Sequence, residues 1–487
     1  MRANGKGNAF HGALSRREFL AGVVGSGAML AACSSIPPKQ TLPADLTQMD
    51  LAEAAQLVNT RQLSPVDLVK ACLDRIDRVD PKLNSFITVL PERALAQARH
   101  AESEIASGNW RGPMHGIPIG IKDNIDTAGI KTTAASAVFA DRVPTVDAEV
   151  VSRLKEAGAI IIGKLNMHEF ATGTTSAISN YGAVHNPWHL EHIAGGSSGG
   201  NGAAIAAGLC FGSVGTDTGG SVRIPASCCG VVGLKPTYDV VDTKGLVFIS
   251  RSFDHIGPMC RTVNDTALMF AAMSGHPVAQ QYEINTTPSV SGLRVGILSG
   301  QMPICDIPIE NEVQQVFNAA VEVVKTIVAD VREITYAVPD HLGEIIDAED
   351  YSFGISREIG SAGIFMPNSD SKQMSPEKYA KLKLELDSYR TGIASAFNEI
   401  DLVIVPTLPG LPLKIDDAED PFALNACTFA FSIGGLPSIS IPCGFSASGL
   451  PIGMLISGPP LSDARVLSLA KAFESETDWH QRRPVLI

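Results

Sequence analysis

What this sequence lacks sets the first limits on the kind of protein it encodes. It has 38 lysine and arginine residues against 51 aspartate and glutamate residues, a formal net charge of −13. Nucleic-acid binding needs a basic face to meet phosphate groups, so this acidic balance argues against a nucleic-acid partner. The nine cysteines are scattered without the paired spacing of metal ligands. We therefore predict neither a metal site nor a cofactor.

Low-complexity stretches, internal repeats and long apolar runs are also missing. The apolar run FLAGVVGSGAMLAA at 19–32 is shorter than the roughly 20 residues that a membrane-spanning helix needs. Hydrophobic residues make up 45% of the 487 residues, which is enough for a large core. Length alone would suggest about three domains, yet no segment after residue 45 has the composition of a linker.

The N-terminus resembles an export signal. SRREFL at 15–20 looks like a twin-arginine signal, and LAAC at 30–33 resembles a lipoprotein cleavage box. We expect 1–32 to be a signal peptide and 33–44 a flexible tether. Cys33 would become the lipidated first residue of a periplasmic or cell-envelope protein, held at the membrane because several acyl chains anchor stably where one is marginal. An uncleaved signal anchor, or a chance match to these patterns, remains the alternative.

The segment GGSSGGNGAAIAAGLCFGSVGTDTGGSVRIPA at 195–226 carries the strongest chemical signal. It holds two serine sites cradled by glycines, Ser197/Ser198 and Ser221, with a small-residue helix between them. Glycine lets the backbone turn sharply and lets a ligand approach main-chain N–H groups. TDTGGS at 216–221 is therefore interpreted as a turn whose amides converge beside a serine hydroxyl. Acyl transfer needs that combination, a nucleophile next to an oxyanion hole.

At this segment the chain resembles the amidase signature family, serine hydrolases that cleave amides with a Ser–Ser–Lys triad. The resemblance begins near Asp45 and continues to the C-terminus, which implies one large domain at 45–487. Further segments match the family in its order: HGIPIGIKDNIDTAG (115–129), AGAIIIGKLNMHEF (157–170), NYGAVHNPW (180–188), CGVVGLKPT (229–237), SFDHIGPM (252–259) and FSIGGLPSISIPCGFSASGLPIG (431–453).

The resemblance also implies a role for individual residues. Ser221 would be the nucleophile that becomes acylated, Ser197 the bridging serine on a cis peptide, and Lys122 the base. Four consecutive backbone N–H groups would form the oxyanion hole, those of Thr218, Gly219, Gly220 and Ser221.

Lys122 must be unusual to act as a base. A free lysine has a pKa of about 10.4, whereas a base working near neutral pH needs a pKa of about 7–8. Burial supplies such a shift because it disfavours the charged ammonium, and the apolar strand predicted at 116–122 ends at this lysine. Asp123 would push the pKa back up, so we expect it to point away from Lys122, as successive strand side chains do.

The family implies an α/β fold, a single large domain with a mixed, twisted central β-sheet covered by helices. The hydrophobic periodicity agrees with such an alternation. Helices are predicted at 48–59, 64–78, 91–107, 147–157, 311–330, 375–399 and 462–476. Strands are predicted at 116–122, 159–163, 208–215, 293–298, 332–338, 402–406, 438–442 and 452–457.

The predicted function is hydrolysis of a small-molecule carboxylic amide to an acid plus ammonia or an amine, with a homodimer left open. Two alternatives remain. One is the glutaminase subunit of a tRNA-dependent amidotransferase, which works with partner subunits and tRNA; the export signal and the acidic chain argue against it. The other is an inactive amidase-fold binding lipoprotein, against which the intact Lys122, Ser197 and Ser221 argue.

Several residues near the motifs have plainer interpretations. Asp217 and Arg223 flank the site and are expected to brace its loop rather than react. His168 begins an H-E-x-x-H pattern, but Thr172 stands at the second histidine position, so no zinc site is predicted. Ser375 begins an S-x-x-K pattern and is better interpreted as a helix N-cap, since proline follows it.

Overall fold

The computed structural model describes residues 42–282, 289–298, 307–335, 338–352, 374–418 and 423–486. The described residues from Leu42 onward form one compact unit. The predicted signal peptide and Cys33 therefore lie outside the described residues. Within the described ranges, no helix combines the length and the apolar character needed to cross a membrane.

The described strands form one mixed sheet in the spatial order β1-β3-β2-β4-β6-β5-β10-β11-β9-β7-β8. β2 runs parallel to both of its neighbours, whereas β4, β6, β5, β10, β11 and β9 pair antiparallel in succession. The strands are β1 (Phe86–Val89), β2 (Pro118–Lys122), β3 (Ile160–Leu165), β4 (Gly212–Asp217), β5 (Val232–Lys235), β6 (His255–Cys260), β7 (Arg294–Leu298), β8 (Asp330–Ile334), β9 (Leu402–Pro406), β10 (Ser438–Phe445) and β11 (Pro451–Ser457).

Helices flank this sheet and bury its faces. They are α1 (Leu51–Asn59), α2 (Pro65–Leu83), α3 (Pro91–Ala106), α4 (Glu149–Glu156), α5 (Gly199–Ala206), α6 (Arg223–Cys229), α7 (Val263–Met273), α8 (Asn311–Ile327), α9 (Glu344–Ser352), α10 (Pro376–Gly392), α11 (Phe429–Ile433) and α12 (Asp463–Ser475). The predicted α/β class with a large mixed sheet is confirmed, and every predicted helix and strand overlaps an observed one.

Local sequence explains several of these boundaries. Ser375 caps α10, because its side chain accepts a hydrogen bond from the Lys378 N–H at 3.2 Å and proline occupies the first helical position. The periodicity of α8 predicts one apolar stripe of Val313, Val316, Phe317, Ala320, Val324, Ile327 and Val328. Val313, Phe317, Ala320 and Val324 of this stripe are buried, whereas Val316 and Ile327 are half-buried and Val328 follows the helix. The interpretation of Ser375 as an N-cap is therefore confirmed.

β6 is a strand that the pattern does not predict. Its sequence HIGPMC contains glycine and proline, which are rare inside a central strand. Gly257 is needed there because a Cβ at this position would lie 2.0 Å from the Leu234 carbonyl oxygen. The close approach of β5 explains a sequence that does not otherwise favour a strand.

Candidate active site

Lys122 is the last residue of β2, and the neighbouring strand β4 ends on the same side of the sheet. β2 and β4 are parallel neighbours, so their carboxyl ends meet and bring Lys122 to the turn that follows β4. The Lys122 side chain is fully buried, and its Nζ lies 2.7 Å from Ser197 Oγ and 2.8 Å from Thr216 Oγ1. Two of the three predicted triad residues are thus in direct contact.

Burial controls the protonation of Lys122. It lowers the pKa of Lys122 to about 7, although the carboxylates of Asp254 and Asp217 act in the opposite direction. Asp123 points away as predicted, since its carboxylate accepts hydrogen bonds from Thr133 N at 2.8 Å and Thr133 Oγ1 at 2.5 Å. Lys122 can therefore be neutral in a large fraction of molecules at neutral pH.

Ser197 follows a cis peptide bond from Gly196. Its carbonyl oxygen accepts hydrogen bonds from His168 N at 3.0 Å and from Ser176 Oγ at 3.1 Å. A Cβ on Gly196 would lie 2.8 Å from Ser176 N and Thr175 N, so only glycine fits this packed position. These contacts fix the backbone that presents Ser197 Oγ to Lys122.

Ser221 stands at the end of the turn between β4 and α6. Its carbonyl accepts a hydrogen bond from Ser198 N at 3.2 Å, which ties the two serine segments together. Ser221 is 7% exposed, whereas Ser197 is completely buried. Among the described residues no hydrogen bond joins Ser221 Oγ to Ser197 Oγ; catalytic hydrogen bonds are often long before substrate binds.

The turn at 218–221 is held so that its N–H groups remain available. Thr428 Oγ1 donates to the Gly219 carbonyl at 2.6 Å, and the N–H of a trans peptide points opposite to its carbonyl, so the Gly220 N–H points away from Thr428. Gly220 has φ +148°, and a Cβ there would lie 2.3 Å from Thr428 Oγ1. In the described part of the chain, none of the N–H groups of residues 218–221 donates a hydrogen bond to the backbone carbonyl of a turn or loop.

Asp217 and Arg223 brace this turn, as their positions beside the motif predict. Arg223 donates to both Asp217 oxygens, at 2.9 Å and 2.7 Å, and also to the Thr428 carbonyl and to Ser432 Oγ, each at 2.8 Å. Burial alone would raise the pKa of Asp217, but the buried Arg223 guanidinium outweighs it and lowers that pKa to about 2. Asp217 therefore remains ionised and paired.

Thr218 carries a second support that the motif does not reveal. Its hydroxyl donates to Asp254 Oδ1, while Asp254 Oδ2 accepts from Ile249 N at 2.8 Å and Ser250 N at 3.3 Å. Burial raises the pKa of Asp254 to about 7. The next residue, His255, directs its Nδ1 to the Phe253 carbonyl oxygen, at 2.6 Å.

Two further residues at the site carry no clear sequence signal of a role there. Thr216 is the second partner of Lys122, and its Oγ1 also accepts from Asn124 Nδ2 at 3.2 Å. His168 is buried, its Nδ1 accepts from Ser176 N at 3.2 Å, and its Nε2 has no hydrogen-bond partner among the described residues. Burial lowers the pKa of His168 to about 3, so the ring is neutral. Among the described side chains, no group of three or more potential metal ligands is found.

A sheet of this topology, with a buried lysine against a serine on a cis peptide, defines a class of amide-cleaving hydrolase. The family model described as Amidase matches residues 67–467, and the chain belongs to this family. It is accordingly an amidase-family enzyme acting on the carbon–nitrogen bonds of amides.

Sequence relatives and solved structures agree on the family. The chain is 36% identical over 490 residues to a glutamyl-tRNA(Gln) amidotransferase subunit of Moorella thermoacetica, across 91% of this chain and 99% of the relative. The native peptide amidase of Stenotrophomonas maltophilia gives a TM-score of 0.77 at 27% identity, covering 90% and 98% of the two chains. The structure of the corresponding amidotransferase subunit from Thermotoga maritima gives 0.72 at 30% identity, covering 92% and 99%.

We expect the buried amine of Lys122 to lower the free energy of unfolding of the protein. The ordinary pKa of lysine is 10.5 and the folded pKa of Lys122 is about 7. Between these values the unfolded chain binds a proton that the folded chain does not, so the contribution of Lys122 to stability rises with pH across this window. We expect Lys122→Met to unfold at a higher Tm than wild type near pH 7, with a smaller difference by pH 10.

Paired thermal unfolding at pH 7 and pH 10 measures this difference. Lys131→Met is the control, because the Lys131 side chain is 54% exposed and its replacement should give no such pH-dependent gain. A Lys122→Met advantage that stays constant from pH 7 to pH 10 would contradict a depressed pKa.

Proposed function

We propose that the chain hydrolyses a carboxylic amide through an acyl-enzyme on Ser221, with Ser197 bridging to Lys122 as the base. The observation that carries this proposal is the 2.7 Å contact between Lys122 Nζ and Ser197 Oγ at a fully buried site. A lysine whose pKa lies near 7 can accept a proton at working pH. Geometry and protonation therefore support the same role.

The proposed cycle moves one proton in each direction. Neutral Lys122 takes a proton from Ser197, which takes one from Ser221 as Ser221 Oγ attacks the amide carbonyl. The proton then returns through Ser197 to the leaving nitrogen, the carbon–nitrogen bond breaks, and ammonia or an amine departs. Water hydrolyses the resulting ester at Ser221 by the same path and releases the acid.

The oxyanion of the tetrahedral intermediate is assigned to the N–H groups of Thr218, Gly219, Gly220 and Ser221. Such donors act most strongly when they are fixed before the reaction, and losing one typically lowers kcat about 10²–10³-fold. Three contacts support a fixed turn: Thr428 on Gly219, Asp254 on Thr218, and the buried pair of Asp217 and Arg223.

A fluorophosphonate probe tests the nucleophile. We expect the purified protein to be labelled on Ser221, and Ser221→Ala to lose both label and amide hydrolysis by at least about 10³-fold, because in the proposed cycle Ser221 is the hydroxyl that attacks the carbonyl carbon. Peptide mass spectrometry identifies the labelled serine.

Ser375→Ala is the matched control for the labelling experiment. Ser375 caps α10 and takes no part in the proposed chemistry, so this variant should label and turn over like wild type. Label on Ser197 or Ser198, or normal hydrolysis by Ser221→Ala, would overturn the mechanism. A wild-type protein that neither labels nor turns over amides would support the inactive binding lipoprotein instead.

A second candidate function is more specific, and the curated relatives favour it. The chain covers 99% of a glutamyl-tRNA(Gln) amidotransferase subunit, with 36% identity. On that likeness the chain would be the glutaminase subunit, releasing ammonia from glutamine for partner subunits that act on tRNA. The peptide amidase structure at a TM-score of 0.77 and the N-terminal segment favour an amidase that works alone.

Ammonia release separates these two candidates. The purified chain is incubated with L-glutamine and, in parallel, with acetamide, benzamide and a C-terminal peptide amide, and ammonia is measured enzymatically. We expect Ser221-dependent release from at least one of them. Preference for glutamine by tenfold or more would support the glutaminase subunit, whereas preference for the other amides by the same factor would support an amidase that works alone.

We also propose export of this protein, on the sequence of the N-terminus alone. SRREFL at 15–20 would direct the folded chain to a twin-arginine translocase, and Cys33 would carry the lipid that holds it at a cell-envelope membrane. This proposal covers residues outside the described part of the structure. It is compatible with an amidase that works alone and disfavours a cytoplasmic amidotransferase subunit.

Cell fractionation with lipid labelling tests the export proposal. In a bacterium with a twin-arginine translocase, Arg16→Lys/Arg17→Lys should retain the protein in the cytoplasm. Cys33→Ala should remove metabolic palmitate label and membrane attachment, while Cys443→Ala, which alters a buried cysteine, should preserve both. An intact Met1 on wild-type protein from the membrane fraction would instead indicate an uncleaved anchor.

A further inference from the structure

Glu349 is a buried carboxylate on α9 that no motif of the sequence identifies. The residue is 5% exposed, and its two oxygens accept four hydrogen bonds. Oε2 accepts from Ser250 Oγ and from Ser252 N at 2.9 Å, and Oε1 accepts from Ser252 Oγ and from the Tyr379 hydroxyl at 2.9 Å. Glu349 thus joins α9 and α10 to the loop at 249–254.

The same loop reaches the turn that is proposed to form the oxyanion hole. Ser250 contacts Glu349 through its hydroxyl, and its N–H donates to Asp254 Oδ2 at 3.3 Å. Asp254 in turn accepts the Thr218 hydroxyl. One continuous path of hydrogen bonds therefore runs from α9 through Ser250 and Asp254 to Thr218.

α10 strengthens the hold on this loop. Lys383 Nζ donates to Ser252 Oγ at 2.5 Å, and Arg390 Nη2 donates to the Ser252 carbonyl at 2.9 Å. Arg390 Nε also donates to the Ile433 carbonyl at 2.9 Å, next to Ser432, which contacts the brace of the turn. The loop is thus fixed from two helices at once.

Glu349 is charged in this environment. Burial raises the pKa of Glu349, but the hydrogen bonds from Ser250 and Ser252 outweigh it and hold that pKa below its usual range. An ionised carboxylate can accept all four hydrogen bonds, whereas an amide has a single acceptor oxygen. Because unpaired buried polar groups are costly, the arrangement depends on the carboxylate.

We propose that Glu349 is a positioning residue for the reaction at Ser221, acting through Ser250 and Asp254 to fix Thr218 and the N–H groups that follow it. This proposal rests on the proposed function. It makes the region around α9 and α10, which has no recognisable catalytic motif, part of the assembly that sets the geometry of the oxyanion hole. Donors there must be fixed to favour the transition state over the bound substrate.

Steady-state kinetics test the proposal on Glu349→Gln, with whichever of L-glutamine, acetamide, benzamide and the C-terminal peptide amide wild type hydrolyses fastest. We expect kcat to fall about tenfold or more while KM changes less than threefold, since a displaced oxyanion donor weakens the transition state more than the bound substrate. Glu474→Gln is the matched control. Glu474 is 4% exposed and accepts hydrogen bonds from Val263 N at 2.8 Å and Lys471 Nζ at 2.7 Å, away from the site.

Glu474→Gln should lower Tm by an amount similar to Glu349→Gln and leave kcat within twofold of wild type. A Glu349→Gln variant that also keeps kcat within twofold would overturn the positioning role. If Glu349→Gln does not fold, Tyr379→Phe removes one of the four donors and should lower kcat about two- to fivefold; unchanged kcat in that variant is equally decisive against the proposal.

A double-mutant cycle with Thr218→Val tests the path itself. If Glu349 acts through Thr218, the double variant should lose no more kcat than the worse single variant, whereas independent effects would multiply. Fluorophosphonate labelling of wild type separates the two proposals. Without label on Ser221 in an active enzyme both fail; with wild-type labelling and turnover but multiplicative losses in the cycle, only the positioning role fails.

Discussion

The burial of one amine at the end of a parallel strand is the constraint on which the rest of the site depends. Lys122 lies where β2 and β4 end together, so water is excluded and the ammonium form is disfavoured. A fully ionised, unpaired carboxylate near Nζ would raise the pKa of Lys122 and favour the ammonium form. The strand alternation turns Asp123 to the opposite side, and Arg223 engages both oxygens of Asp217. The surrounding structure thus holds the pKa of Lys122 at about 7, so that a large fraction of the lysine is neutral at neutral pH.

Asp254 is another carboxylate near Lys122, and its negative charge is limited by burial. Burial raises its pKa to about 7, so near neutral pH it is ionised in only a part of the molecules and favours the Lys122 ammonium less than a full charge would. The group remains useful because it organises three hydrogen-bond donors, the Thr218 hydroxyl and the amides of Ile249 and Ser250. Asp254 can therefore support the turn while raising the pKa of Lys122 less than a fully ionised carboxylate would.

The sequence predicts the fold class and most regular elements because their hydrophobic periods are local properties. α8 and β9 are clear examples, since each shows its pattern within a single window. β6 is not predictable in this way, because its glycine is explained only by the close approach of β5. The same limit applies to the site. Lys122 and Ser197 follow from family motifs, whereas Asp254 and Glu349 act through contacts between distant segments.

The separation of the site residues along the chain has a consequence for folding. Lys122 ends β2, whose parallel neighbour β4 begins at Gly212, and β3, which pairs with the other side of β2, lies between them in the sequence. Closing such long loops before any stabilising contact forms makes parallel pairing slow. Lys122 and Ser197 are 75 residues apart in the chain, so their contact is one of the long-range contacts of the fold. A molecule in which β2 and β4 have not yet paired would lack the buried environment of Lys122. On the proposed mechanism, Ser221 would become reactive only after the sheet has enclosed Lys122.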